Sequence, residues 1–576
     1  MHRTRSGNCK RSMIWFILIF FMMTSITACK SKDPQSLFTP TPTVEIKLKE
    51  EPIVISIPTR EADISQPLET ESKNGLIVFS MANGEFHHLF AYNPTTFPIT
   101  QLTSDPWDDD APAISPNGDK IAFTSNRTGV WDIFLLDLVT KELTQITRTN
   151  DFEGSISWAP DSQWITYDVY QGDHYEIMIQ SISDLSTAPI QLTEGIANNI
   201  EPAWSPEGRE IAFVTDRSGR NEIWLARLDI TENRFSKWIG SSDTDYDHPS
   251  WSPDGLTVTW ERIQNESEIQ LWNPQTPDLA PITIGVGSDP VWTPAGNGII
   301  ATLRQPNQNY FVAYEVQKKK LLLPPIPLPG MVSSYDWKSA QLSSNLSSFL
   351  SSTDLQETLF SNPENPPSSS LNRHTLVSLE NVIAPQAYLS DTTIDEFDRV
   401  RELVRKKIGW DLLGTLENAS LAVTTAPSPG INQNWLFTGR SIALNLAPFE
   451  AGLMILSRED FYDQTFWRLW VKCKAQDGSC GSPIREPVWD FSSRYSGDMN
   501  AYEEGGKISP HPAGYWIDFT ELGARNGWER LPSQSNWRAY FPGILFNTFI
   551  YRQGLSWQEA MLELYPLEVI NLLSEQ

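Results

Sequence analysis

Cysteine is scarce in this 576-residue chain, with four in all, at positions 9, 29, 473 and 480. Positive charge is also short: Lys+Arg number 44 against 71 Asp+Glu, a net charge of −27. That balance, with no basic stripe anywhere, excludes a nucleic-acid partner and suits the solubility charge of an exported protein. Long hydrophobic runs are missing as well. The one apolar stretch, Met13 to Met23, is too short to span a bilayer, and no later run approaches twenty residues. A Gly-x-Ser-x-Gly nucleophile elbow is absent from the C-terminal third. Gly478-Ser479-Cys480-Gly481 is one residue too short, and no histidine follows His511, so a serine-peptidase triad is excluded.

What is present begins with an address. Arg3, Arg5, Lys10 and Arg11 precede the apolar run, which ends in Ile26-Thr27-Ala28-Cys29. A basic head, a short apolar core and a small-residue site mark a signal peptide. The last four residues resemble the bacterial lipobox. The resemblance implies that residues 1–28 are removed, that Cys29 is lipidated, and that the protein is anchored outside the cytoplasm by that lipid. Cys9 leaves with the leader, so Cys473 and Cys480 remain as an even pair in an exported chain. Asp477-Gly478 between them is a favoured hairpin turn, which predicts a disulfide across a β-hairpin. A metal site is disfavoured because no other thiol or nearby histidine completes four ligands. Residues 29–73, with Thr-Pro-Thr-Pro at 39–42, are expected to form a flexible tether.

From residue 74 the chain repeats. Pro202-Ala203-Trp204-Ser205-Pro206-Glu207-Gly208 with Ile211-Ala212-Phe213 recurs as Pro249-Ser250-Trp251-Ser252-Pro253-Asp254-Gly255 with Val258-Thr259-Trp260. Further copies centre on Pro116, Pro160 and Pro294, giving intervals of 44, 46, 47 and 41 residues. That is the span of a four-stranded propeller blade. Ser-Pro-Asp-Gly makes a turn in which proline presets φ and glycine relieves the exit, between a strand ending at the tryptophan and an Ile-Ala-Phe strand. The ends complement each other. Ile77-Val78-Phe79 is a second strand lacking a first, and Tyr335-Asp336-Trp337 is a first strand lacking a second. Pairing Trp337 beside Ile77 would close a six-bladed ring over 74–340 and leave no open edge.

The repeat pattern resembles TolB-type propellers and the propeller of prolyl-oligopeptidase-like enzymes. The resemblance is informative for fold and weak for function, because propellers host unrelated activities. Residues 341–371, rich in Ser-Ser and proline, read as a linker. No blade motif occurs in 372–576, which reads as a separate α+β domain. The expected elements are an amphipathic helix over 395–408, the disulfide hairpin, a strand at 515–519, and two helices near 544–551 and 557–564. Ser556 and Glu559 have the spacing of a capping box for the last. The fold class is therefore mainly β, a six-bladed propeller followed by an α+β domain.

Three features bear on chemistry. Ser509-Pro510-His511 through Asp518 has the spacing Ser-x-His-x-x-Gly-x-x-x-Asp, which resembles the zinc motif of D-alanyl-D-alanine peptidases. The resemblance implies His511 and Asp518 as metal ligands. It is incomplete: where the family has a glutamate base and a third histidine ligand, this chain reads Ser535-Asn536-Trp537-Arg538. Catalytic zinc needs three protein ligands, so no cofactor is expected, with zinc as the alternative and a degenerate, binding-only relative in between. Second, Asp110, Glu153, Glu201, Asp247 and Asp289 precede or open the inner strands and could gather at one mouth of the channel to hold a cation or a basic peptide. Turn preference alone would also place acids there. Third, Trp489, Tyr495, Tyr502, Trp516, Trp528 and Trp537 are stacking platforms for a glycan or ordinary core aromatics. The resulting expectation is a non-catalytic, lipid-tethered binding propeller with a protein or peptidoglycan partner in the envelope. A cell-wall peptidase is the alternative.

Overall fold

The computed structural model describes residues 75–574 except 94–96, 265, 307, 341–373, 426–430 and 432. The leader, Cys29, the tether and the Ser/Pro-rich linker lie outside the described residues. Six four-stranded antiparallel sheets follow one another along the first part of the chain. The first consists of Val332–Lys338, Leu76–Asn83, Phe86–Asn93 and Phe97–Gln101 in that order, so its inner strand comes from the far end of the ring. Ile77 pairs with Trp337. The other five inner strands are Asp109–Ile114, Phe152–Trp158, Asn199–Trp204, Asp245–Trp251 and Ser288–Trp292.

The recurring tryptophans and turns hold neighbouring blades together. The indoles of Trp158, Trp251 and Trp292 donate to the carbonyls of Ala113, Ala203 and Ser250, each on the preceding inner strand, at 3.0–3.1 Å. The turn glycine has two reasons to be there. Gly208 has φ +80°, and a Cβ on it would lie 3.2 Å from Pro160 of the preceding turn. Gly296 shares the left-handed φ, +70°, and its Cβ would only touch Pro253, at 3.5 Å. The proline–glycine turns thus nest around one face of the ring.

Residues 374–574 form an α+β domain. Leu416–Asn418, Ser441–Leu444, Thr548–Ile550 and Glu529–Arg530 make a four-stranded sheet, and Met454–Phe461, Gln464–Lys472 and Trp516–Asp518 a three-stranded one. The helix Ile394–Ile408 buries Phe397, Val400, Leu403, Val404 and Ile408, the face its periodicity marks out. Ser556 and Glu559 form a reciprocal capping box at the start of Trp557–Leu564. Two expectations need correction. Residues 544–551 are not a helix: a 3₁₀ turn at Phe541–Ile544 leads into the strand Thr548–Ile550, which completes the four-stranded sheet. Cys473 and Cys480 are disulfide-bonded, with Cα atoms 6.0 Å apart, but not across a hairpin. Strand Gln464–Lys472 pairs with Trp516–Asp518 instead, and the bond closes the loop that leaves it.

Candidate functional site

Strand direction alternates within a blade, so the starts of the inner strands and the second-to-third turns share the face opposite the nested glycine turns. On that face every inner strand from the second blade to the sixth carries a bulge. The residue five before the turn proline sits at left-handed φ each time: Ala111 (49°), Ser155 (42°), Glu201 (54°), His248 (53°) and Asp289 (55°). A bulge re-aims a side chain, and here it brings those of Glu201, His248 and Asp289 together.

The consequences are clearest at the last three. His248 Nε2 lies 3.2 Å from Glu201 Oε1 and 2.9 Å from Asp289 Oδ1, and Nδ1 lies 3.4 Å from Glu261. The His248 amide donates to Glu201 at 2.8 Å, and Arg304 caps Asp289 at 2.7 Å. Burial disfavours the imidazolium, but Glu201 and Asp289 outweigh it and raise the His248 pKa well above its usual value. Burial also opposes the Asp289 carboxylate, yet Arg304 and His248 hold its pKa below the ordinary range. Glu201, without a guanidinium of its own at bonding distance, is shifted upward by burial. Among the described residues, His248, Glu261 and Asp289 are also the one group of three side chains spaced to hold a metal ion. The His248 ring and the Arg304 guanidinium already occupy the space between these carboxylates.

The five acids singled out in the sequence therefore do not form a ring. Glu201 and Asp289 share the bulge position and converge. Asp110, one residue earlier, accepts the hydroxyls of Ser333 and Ser334 and so ties the ring closure. Asp247, also buried, accepts from the Asn221 side-chain amide at 2.7 Å. Glu153 is fully buried between the hydroxyls of Thr147 and Thr149, and burial pushes its pKa up to about 8. Alternation along the strand, broken by the bulge, sends acids two residues apart in number to different surroundings.

Sequence reasoning missed the group that closes the mouth. Arg485, in the segment after the disulfide loop, reaches into the third blade. Its guanidinium donates to both oxygens of Asp168 at 2.6 and 2.7 Å and to Ser155 Oγ at 2.6 Å. The cation lies 4.7 Å from the Tyr175 ring centre and 5.7 Å from that of Phe152. Asp168 is fully buried. Beside it the Tyr175 hydroxyl donates to Pro483 O, the Trp131 indole to Gly481 O, and the Gly514 amide to Tyr170 Oη. Cys473 and Tyr515 pack in one apolar cluster with Trp131, Phe152, Tyr170, Tyr175, Ile200 and Val214 of the propeller. Polar contacts extend the seam: His87 Nε2 lies 2.9 Å from Glu521, and the ammonium groups of Lys407 and Lys406 lie 3.6 Å from Asp108 and 3.2 Å from Glu85. The α+β domain is separate in fold and docked in space, on the acidic mouth. The only sequence signal was indirect: an arginine between two prolines, Pro483 and Pro487, after a constrained loop.

His511 and Asp518 have different neighbours. His511 Nδ1 sits 3.4 Å from the Asn198 amide and 3.7 Å from Asp216, both on the propeller. Asp518 caps the helix Phe519–Ala524 and pairs with Arg468 at 2.5 Å, while burial lifts its pKa to about 6. Both Asp518 oxygens are thus occupied, and Arg538 stacks on Trp537 and faces Glu504 at 3.5 Å. These residues do not fit a zinc centre. The aromatic platforms also divide. Trp516, Trp528 and Trp537 are core residues and Trp489 packs against that core, whereas Tyr495 and Tyr502 are 82% and 57% exposed. A crevice of about 570 Å³ lies along the seam, lined in part by Asp151, Tyr170, Gln476, Asp477 and Tyr515.

Comparison with known proteins agrees with the fold. Residues 168–325 match the TolB beta propeller domain family. A TolB homolog of Chlorobium luteolum is 28% identical over 143 residues, covering 25% of this chain and 31% of the relative. The Tol-Pal system protein TolB of Desulfotalea psychrophila is 25% identical over 107 residues, covering 18% and 24%. The crystal structure of TolB from Acinetobacter baumannii aligns at a TM-score of 0.40 with 19% identity, over 46% of this chain and 66% of that one. The matched part spans about a third or less of the curated relatives' length.

Proposed function

Given a propeller of the TolB type, we propose that the chain is an extracytoplasmic binding protein, lipid-anchored through Cys29, with no catalysis of its own. In this reading the propeller and the α+β domain act as one body that holds a protein partner of the cell envelope. The observation that carries it is the mouth. The bulges that could have presented acids to a substrate are instead committed to internal partners, Glu201 and Asp289 to His248 and Ser155 with Asp168 to Arg485. A relative bearing the name of a Tol-Pal system protein favours a protein as the partner. The core positions of Trp516, Trp528 and Trp537 count against a glycan platform.

Two measurements test the reading. Metabolic labelling with an alkyne fatty acid is expected to mark the wild-type protein and not Cys29→Ala; no label on either removes the anchor. Photocrosslinkers at exposed Val139, Leu279 and Tyr495 are expected to give a discrete protein adduct in cells from at least one site. Absence of adducts at all three, with the protein present at normal level, would overturn the binding role.

A further inference from the structure

Gly154 has no backbone reason to be glycine. Its φ is not left-handed, unlike that of the turn glycines, yet a Cβ there would lie 2.5 Å from Arg485 Nη2. The space exists for a guanidinium. Every wall of that space belongs to the propeller: Phe152, Gly154 and Ser155 on the inner strand, Asp168 on the second strand, and Tyr175 on the third. Asp168 gives two parallel acceptors to a planar fork, a geometry that suits arginine and not lysine. The ring of Tyr175 supplies a cation–π face, and its hydroxyl then reads the carbonyl of Pro483 two residues upstream. Trp131 reads Gly481 in the same manner. Main-chain carbonyls held in series, with one side chain sunk in a pocket, is how a protein grips an extended peptide. Pro483 and Pro487 bias the segment toward that extended form.

We infer that the third blade carries an arginine-recognition site for an extended peptide, filled in cis by Arg485, and that a protein partner engaging the mouth must present an arginine there in place of residues 482–487. This deepens the binding role proposed above and depends on it only for the partner. The pocket itself stands on the geometry.

The test uses the full chain and a synthetic peptide of residues 482–487, acetylated and amidated, followed by calorimetric titration. Arg485→Ala is expected to bind the peptide at least tenfold more tightly than wild type, whose pocket is filled. A peptide with lysine in place of arginine is expected to lose at least tenfold, and Arg485→Ala combined with Asp168→Asn to lose binding. A folded Arg485→Ala protein, its disulfide verified by mass, that ignores the peptide or takes the lysine version equally well would overturn the inference. If Arg485→Ala does not fold, Gly154→Ala replaces it. Hydrogen exchange across 481–487 is expected to rise at least tenfold in that variant, and unchanged protection would refute the pocket. Crosslinking in cells is independent of both readouts, so a failed titration beside intact adducts condemns the arginine site alone.

Discussion

Glu153 on the third blade and His248 on the fifth both lower stability as pH rises, for different reasons. The Glu153 carboxyl has a folded pKa of about 8 against an ordinary 4.5, raised by burial. Between those values the folded state keeps a proton that the unfolded chain has released, so stability falls with rising pH. Glu153→Gln keeps an acceptor for Thr147 and removes that proton. It is expected to leave stability at pH 4 unchanged and to raise it at pH 8 by on the order of 3 kcal/mol, read from urea unfolding at the two values. His248 is a base whose pKa is raised by Glu201 and Asp289, with Glu261, Asp247 and Arg304 also facing it. Its contribution is complete below about pH 6.5 and disappears as pH climbs through the raised value. His248→Asn tolerates the left-handed backbone. The variant is expected to cost about 1–2 kcal/mol at pH 6, since charge-assisted bonds are lost, and progressively less above that. A cost that grows with pH would contradict the imidazolium cage.

At the level of strands and turns, the blades were legible because their cause is local. A tryptophan, a Ser-Pro-Asp-Gly turn and an Ile-Ala-Phe strand carry their own geometry, and for Trp158, Trp251 and Trp292 the indole's partner lies one repeat upstream, whereas the Trp204 indole bonds Gly208 in its own turn. Trp251→Phe keeps most of the ring but leaves Ala203 O without its donor. Thermal unfolding is expected to show a loss of about 1–3 kcal/mol, and an unchanged midpoint would mean that the indole bond is not what joins those blades. The disulfide pairing was legible from cysteine number, and the hairpin around it was not. Cys473 follows a strand whose edge is taken by Trp516–Asp518, a segment some forty residues later in the chain. The acidic mouth failed for a related reason. Spacing to the turn proline does put Glu201, His248 and Asp289 in register, but a bulge decides which neighbours of each face the axis. Arg485 was out of reach altogether, because its carboxylate partner is 317 positions away and nothing in the blade motif asks for it.

For the molecule as a whole, the decisive question is whether two folds behave as one body. Domain interfaces within a chain ordinarily permit motion unless they are large and apolar. Here an apolar cluster containing Cys473 and Tyr515 spans the seam, and opening it would strand Asp168, a fully buried carboxylate, without its cation. Leaving one member of a buried pair alone costs about 3–5 kcal/mol, so the undocked state is populated at roughly one part in a hundred to one in several thousand. Unfolding should then be cooperative across both domains, with a single calorimetric transition. Asp168→Asn removes the charge that demands Arg485 while leaving the Glu201 amide an acceptor. It is expected to cost about 3 kcal/mol of coupling and to split the transition in two, the propeller and the α+β domain melting apart. A wild-type scan that already shows two transitions would mean that the mouth is an incidental contact. One transition that persists in Asp168→Asn would instead assign the coupling to the apolar cluster around Cys473 and Tyr515.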